Sequence, residues 1–303
     1  MTRPFTEADL PFALECWNSF YSAKYSITPQ LLKRATVGSK LFLPNQSTAW
    51  EGGFIAFKAS APGHLFPGDK LATAHIGACA ATDANELKAV LSNAIPGLKQ
   101  DGFNRLVFGG DGDHLFPGCP DECTDLQAVL ESAGFTKPDS FEVDVERDLV
   151  DYEPTGAIPP GIRICTPDDH SLLNEFLARA FPGRWHHDVM LQFEEEPTRV
   201  AGAFVGGRCE GFALLEHWTS HNRIGGAMWY LDLGKNWGSL GPIGVSTNVR
   251  GQGYGNGLLT FGLTHLQSIG VRRTIIDWTT LIDFYGKHGF EVARKYWAYS
   301  REI

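Results

Sequence analysis

The sequence has little that would take it to a membrane or to a nucleic acid. No apolar run is long enough to span a bilayer, and the first ten residues, MTRPFTEADL, hold no apolar signal core. A cytoplasmic protein with no membrane partner is therefore expected. Positive charge is also short: 26 Lys and Arg stand against 35 Asp and Glu, a net charge of -9, with no polybasic stretch. That balance argues against nucleic acid as a partner and suits a soluble enzyme, with a mildly acidic surface that favours a cationic amine. Ligand-type cysteine spacing is missing as well. Cys16, Cys79, Cys119, Cys123, Cys165 and Cys209 are scattered, and although Cys119 and Cys123 are four apart, no second pair completes a zinc pattern. Buried free thiols and no metal are expected.

What is present is a large apolar inventory. Hydrophobic residues make up 43% and aromatics 12% of 303 residues, enough for a sizeable core and a length that suits two domains. Periodicity along the chain predicts an α/β protein of mixed sheets. A Thr6-Glu7-Ala8-Asp9 capping pattern opens a helix through Leu10, Leu14 and Trp17. Strand-like runs follow over 49–82, then a helix over 86–98, a strand over 105–108, a helix over 126–133 and a strand over 141–147. Three prolines and Gly156 within 154–160 predict a linker, so the expected domains are 1–153 and 154–303. The second half then repeats the order, ending on a strand near 296–300.

The most informative stretch is 240–259, LGPIGVSTNVRGQGYGNGLL. An apolar strand end at Ile243 and Val245 runs into a turn of Arg250, Gly251, Gln252, Gly253, Tyr254, Gly255 and Asn256, and a helix pattern opens at Leu258 and Leu259. Such a join binds anions: glycines admit a phosphate to the backbone, the first helix N–H groups point outward, and the helix dipole adds positive charge. The spacing is not that of a dinucleotide-binding turn, which needs G-x-G-x-x-G. It closely resembles motif A of the GNAT acyltransferases, Q/R-x-x-G-x-G/A, at Arg250, Gly253 and Gly255. Phe284-Tyr285-Gly286-Lys287-His288-Gly289-Phe290 resembles a second signature of that family, F-Y-x-K-x-G-F. Aligning Gly134-Phe135 with Gly289-Phe290 puts Leu130 opposite Tyr285, and 78–85 holds no Arg-x-x-Gly-x-Gly. The chain thus resembles a tandem GNAT protein whose first half is degenerate and whose second half holds acetyl-CoA.

The resemblance implies that N–H groups of the 251–255 turn bind the cofactor pyrophosphate, that a strand N–H of Ile243 or Val245 meets the thioester oxygen, and that Tyr285 is the general acid. The alternative for Tyr285 is a core aromatic with its hydroxyl on a carbonyl. Candidates for the general base are Asp277 and Glu216 ahead of His217, with Asp232 also near the expected acceptor; each has the plainer reading of a surface charge or satisfied partner. Phe66-Pro67-Gly68 is similar to two further segments, Phe116-Pro117-Gly118-Cys119-Pro120 and Phe181-Pro182-Gly183-Arg184-Trp185, and these two resemble a tandem GNAT subgroup associated with amino sugars such as glucosamine. Asp113, His114 and Phe116 on one side, with Trp185 and Asp188 on the other, are therefore expected to line an amino-sugar site, although Pro-Gly is also ordinary turn chemistry. The expected reaction is direct acetyl transfer to a small primary amine. Another amine, a peptide N-terminus, an antibiotic, or a non-catalytic acyl-CoA sensor are the alternatives.

Overall fold

The structure is a computed structural model and describes residues 2–66, 72–113 and 115–303. Its strands and helices in chain order are β1 (Arg3–Pro4), α1 (Leu10–Phe20), α2 (Pro29–Ala35), β2 (Thr48–Trp50), β3 (Gly53–Ala59), β4 (Thr73–Ala81), α3 (Ala84–Gln100), β5 (Arg105–Phe108), β6 (Cys119–Pro120), α4 (Thr124–Ser132) and β7 (Glu142–Asp148). They continue with β8 (Ile162–Ile164), α5 (His170–Ala180), α6 (Arg184–Glu195), β9 (Val200–Val205), β10 (Arg208–His217), α7 (Tyr230–Leu233), β11 (Trp237–Val245), α8 (Tyr254–Ser268), β12 (Arg273–Thr279), α9 (Ile282–Gly286), β13 (Glu291–Trp297) and β14 (Ser300–Glu302). The mixed α/β class expected from periodicity is the class observed. No helix among the described residues is long and apolar enough to cross a membrane.

The chain divides into two compact units, but not at the expected linker. The first comprises Met1–Ala61, Gly68–Val143 and Arg294–Ile303; the second comprises Pro62–Pro67 and Asp144–Ala293. The 154–160 segment lies inside the second unit, because β7 from Asp144 onward is hydrogen-bonded there: the Trp278 N–H donates to Asp144 Oδ1 at 3.2 Å and Arg273 Nε to Glu146 Oε2 at 2.7 Å. Conversely β14 belongs to the first unit, where Ser300, Arg301 and Glu302 face Val107, Leu106 and Arg105.

In the first unit the sheet order is β1-β2-β3-β4-β5-β14, with β4 and β5 parallel from Thr73↔Arg105 to Ile76↔Phe108. Helix α3 begins where the Asp83 carboxylate accepts the N–H groups of Asn85 and Glu86, a capping arrangement that satisfies two otherwise unpaired donors. It buries Leu87, Val90, Leu91, Ile95 and Leu98, a helical stripe.

In the second unit the order is β7-β12-β11-β10-β9-β8. Helices α5 and α6 cover one face through Leu173, Phe176, Leu177, Val189 and Phe193, all packed with Phe212 and Leu214 of β10. Helix α8 lies against β10 and β11, close enough that a Cβ on Gly262 would meet Leu240 Cδ1 at 2.7 Å and Leu215 Cδ2 at 3.0 Å. The parallel pair β11–β12 holds only over Trp237↔Arg273, Gly238↔Thr274 and Ser239↔Ile275, whereas β10 follows β11 as far as Gly211↔Val245. Past Ser239, β11 has β10 on one side and a wedge on the other.

Candidate active site

The glycine turn sits at the end of that half-paired strand. Ile243 and Val245 lie on β11 beyond its last β12 partner, opposite Ala213 and Gly211. After β11 the chain makes a 3-10 turn over Thr247–Val249, exposes Arg250, and reaches α8 through Gly251 at φ 76° and Gly253 at φ 85°. Both are left-handed conformations that suit glycine. Gln252 secures the turn, its N–H donating to Val249 O at 3.3 Å and its side chain to Asn248 O at 2.9 Å. The intrahelical bonding of α8 starts with Gly257 N–H to Gly253 O, so the N–H groups of Tyr254, Gly255 and Asn256 are the outward donors of its first turn. A Cβ on Gly251 or Gly255 would find no heavy atom within 4 Å. Open backbone donors at the positive end of a 15-residue helix, beside Arg250, fit a pyrophosphate. The Asn256 Oδ1 is already engaged, bonded to His288 Nε2 at 2.7 Å.

Asp277 lies at the mouth of the wedge. A Cβ on Gly225 would meet its Oδ2 at 2.5 Å, and one on Gly241 of β11 would lie 3.7 Å from Oδ1. Only glycine at 225 leaves this carboxylate its place. Tyr285, on α9, is 4% exposed and held by Phe284 and Phe290 at ring distances of 5.1 and 6.0 Å. Burial pushes its hydroxyl up to about 12, and the charge of Asp277 pushes the same way, against a hydrogen bond with Thr279. The structure thus brings Tyr285 and Asp277 into one electrostatic neighbourhood, with a phenol that keeps its proton.

Of the residues expected to line an acceptor, Trp185 and Asp188 lie on α6, beside a distant piece of sequence. Trp185 is 37% exposed and stacks on Phe181 at 5.4 Å, and Phe181 in turn covers Gly244 of β11, where a Cβ would strike the ring at 2.5 Å. One turn along α6, Asp188 lies 3.8 Å from Arg184. The Arg184 guanidinium sits 4.8 Å from the Trp278 ring and 5.9 Å from Phe66, and the Arg184 backbone N–H donates to Leu65 O at 3.0 Å. Trp278 has φ 46°, an unusual value for a bulky residue. Arg184, Trp278, Thr279 and Phe66 were not expected here. Arg184 stood inside the noted Phe-Pro-Gly-Arg-Trp segment, and Trp278 and Thr279 directly follow Asp277, but only the fold brings Phe66 to them.

Several expected acceptor or base residues are otherwise engaged. Phe116 belongs to the first unit and is 1% exposed, stacked on Trp17 at 5.2 Å and set against Tyr21 and Tyr25, so it offers no ring face to a sugar. Asp113 is 3.1 Å from the buried Lys58 ammonium, which is also paired with Asp111. These two are core features of the first unit, drawn inward because a buried lysine requires carboxylate partners. His114 lies outside the described residues. Asp232 pairs with Arg273 at 3.2 Å, a structural bridge rather than an acceptor group. Glu216 is 1% exposed and accepts the Ile224 N–H at 3.3 Å, placing it under the 225–229 turn rather than on the wedge. His217 is bonded to Thr219 at 3.1 Å, and burial lowers its pKa.

Residues 171–290 match the acetyltransferase (GNAT) family. A mycothiol acetyltransferase of Geodermatophilus obscurus is 30% identical over 157 residues, which are 46% of this chain and 48% of the relative. The match spans about half the length of that curated relative. Among solved structures, a GCN5-related glucosamine N-acetyltransferase region of a fungal multi-domain β-N-acetylglucosaminidase superposes with a TM-score of 0.84 at 20% identity, over 99% of this chain and 38% of that one. A tandem GNAT protein from the clavulanic acid pathway superposes with a TM-score of 0.64 at 15% identity, over 100% of this chain and 98% of that one. At these identities the structural likeness is one of fold, and it extends along the whole chain. The chain has the tandem GNAT fold, and within it residues 171–290 match the acetyltransferase (GNAT) family.

Proposed function

We propose that the second unit transfers the acetyl group of acetyl-CoA directly to the primary amine of a small acceptor, an amino sugar such as glucosamine. The observation that carries this is the open glycine turn at the start of α8, at the end of a strand that has parted from β12, with Tyr285 and Asp277 beside the gap. Acetyl-CoA supplies an activated thioester. The first-turn N–H groups of α8 and Arg250 bind its pyrophosphate, and β11 beyond Ser239 offers backbone to the thioester oxygen.

The amine nitrogen forms a bond to the thioester carbon while the carbon–sulfur bond breaks. Asp277 accepts the proton that the amine loses, directly or through water, and the Tyr285 hydroxyl gives one to the departing sulfur. Holding Tyr285 protonated suits a donor, and the neighbouring carboxylate reinforces that state. The exposed Trp185 face, with Asp188 one helical turn away, provides stacking and hydrogen bonding of the kind a sugar ring uses. The likeness to a glucosamine N-acetyltransferase region supports the same acceptor class.

The test is thiol release from acetyl-CoA over a panel of glucosamine, amino acids, polyamines, a peptide and an aminoglycoside. Preference for glucosamine is expected. Turnover with another amine alone would replace the acceptor, and CoA binding without any turnover would make the unit a sensor.

A further inference from the structure

One buried side chain in the second unit touches three separate pieces of chain around the proposed reaction centre. His288 is 1% exposed. Its Nδ1 lies 2.9 Å from Thr155 Oγ1 and its Nε2 2.7 Å from Asn256 Oδ1. An amide oxygen only accepts, so Nε2 carries the hydrogen and donates to Asn256, and Nδ1 accepts from the Thr155 hydroxyl. A neutral imidazole satisfies both partners at once. Burial, with the nearby Arg147 charge, lowers the His288 pKa and favours that same form.

Each partner has a distinct place. Asn256 is in the first turn of α8, and its own N–H is one of the three outward donors. Thr155 begins a stretch that runs over this turn: a Cβ on Gly156 would meet Asn256 Nδ2 at 2.8 Å, and Pro159 packs on Gly257. The third piece is α9 itself: the His288 ring lies 6.0 Å from Phe284, and the His288 backbone N–H donates to Tyr285 O at 2.9 Å. Helix α9 has only five residues, far too few to hold its own geometry. Its placement must come from what it is tied to.

We infer that His288 is a positioning residue: it sets the Tyr285 hydroxyl relative to the bound cofactor by fastening α9 to the first turn of α8 and to the overlying 155–159 segment. This rests on the acetyl-transfer reading and adds a role to a residue that does not touch the reacting atoms. The cofactor pyrophosphate and the proton donor then share one hydrogen-bonded frame, so the distance between sulfur and phenol does not depend on α9 alone. Such registration acts on the chemical step more than on cofactor affinity.

The experiment compares wild type, His288→Ala, Tyr285→Phe and the double variant of the full chain, with kcat and KM from thiol release and CoA affinity from calorimetry. His288→Ala is expected to lower kcat about tenfold with CoA affinity held within about threefold. In the Tyr285→Phe background the same replacement is expected to change kcat little, because the group it positions is gone. Thr155→Val, which keeps the ring and its bond to Asn256, is expected to lower kcat by about threefold. If His288→Ala does not fold, as read by circular dichroism, Thr155→Val and His288→Gln carry the same cycle. An unchanged kcat, or equal loss in both backgrounds, overturns the inference. Absence of thiol release by wild type removes the acetyl-transfer reading and the inference with it, whereas full turnover by Tyr285→Phe removes the proton-donor role of Tyr285 and the inference but leaves acetyl transfer in place. A slow Tyr285→Phe variant beside a fully active His288→Ala variant removes the inference alone.

Discussion

A carboxylate that caps a helix and also pairs with an arginine has two reasons to stay ionised, and Asp169 has both. Its oxygens accept two Arg163 bonds at 2.6 and 2.7 Å, and Oδ2 also takes the Thr166 N–H at 2.8 Å. The arginine bonds, ahead of any other influence, bring its pKa from 3.8 to about 2. A depressed carboxylate stabilises the fold above its unfolded pKa and loses that contribution as pH falls through the folded one. Asp169→Asn is expected to cost about 2 kcal/mol at pH 7, after allowance for the half-exposed arginine, and almost nothing near pH 2; urea melts at both values check it. Tyr285 runs with the opposite sign. Its pKa is raised from 10.0 to about 12, so the folded phenol stays protonated through any practical assay, and its contribution to stability, complete below pH 10, is lost as pH rises through 12. Tyr285→Phe is expected to lower kcat by roughly a hundredfold with acetyl-CoA affinity unchanged. No alkaline fall in wild-type kcat between pH 7 and 10 should be traceable to it. A limb near pH 9 that disappears in the phenylalanine variant would contradict the assignment. Equal loss of turnover and affinity would instead make Tyr285 structural.

At the scale of elements, the glycine turn before α8 was legible because it is local. The donors come from consecutive residues, and the glycines at 251 and 253 have φ of 76° and 85°, conformations that the sequence advertises by using glycine. Gly253 and Gly255 can be separated by experiment. Gly253→Val forces a branched side chain into the left-handed region, at a cost of about 1–2 kcal/mol or more, besides blocking the turn. Gly255 is helical with open space around it, so Gly255→Ala is expected to stabilise the unliganded protein by up to about 1 kcal/mol while weakening CoA at least several-fold. A melting curve and a CoA titration on each variant read both effects. Retained affinity in both would remove the phosphate-turn assignment. The wedge itself was not legible, because it depends on β11 and β12 parting after Ser239, a tertiary event with no local signal. The proposed acceptor wall was legible in part: Trp185 and Asp188 share a helix face one turn apart, whereas Phe66 reaches Arg184 from more than a hundred residues away. Phe116 and Asp113 misled for a physical reason. A strand-end loop rich in Asp and Gly resembles a ligand loop, and nothing in its own residues reveals the buried Lys58 it serves.

Over the whole molecule, the duplication shows in a detail of each unit's opening. In the first, Arg3 on β1 pairs with Asp9, which accepts the Thr6 N–H at 2.8 Å; in the second, Arg163 on β8 pairs with Asp169, which accepts the Thr166 N–H at 2.8 Å. The same spacing, arginine to threonine to aspartate, precedes α1 and α5. What the repeat does not reveal is how the chain distributes its closing strands. A strand's sequence specifies a buried face and not which sheet receives it. The last ten residues, Arg294–Ile303, belong to the first unit. There β14 pairs with β5, Tyr299 is fully buried with its hydroxyl donating to Glu131 at 2.7 Å, and Tyr296 lies 6.2 Å from Tyr25. A chain ending at Ala293 keeps every element of the second unit that carries the proposed chemistry, yet leaves β5 with an unpaired edge and empties two tyrosine sites. Each lost aromatic is worth about 3 kcal/mol or more, comparable with a large part of a domain's stability. Such a chain is therefore expected to show early amide exchange and proteolysis confined to the first unit. Protection across α8 and β10 should persist, along with CoA binding. Uniform loss of protection would mean that the two units fold as one, and unchanged protection in β5 would mean that the C-terminal strand is dispensable to the first.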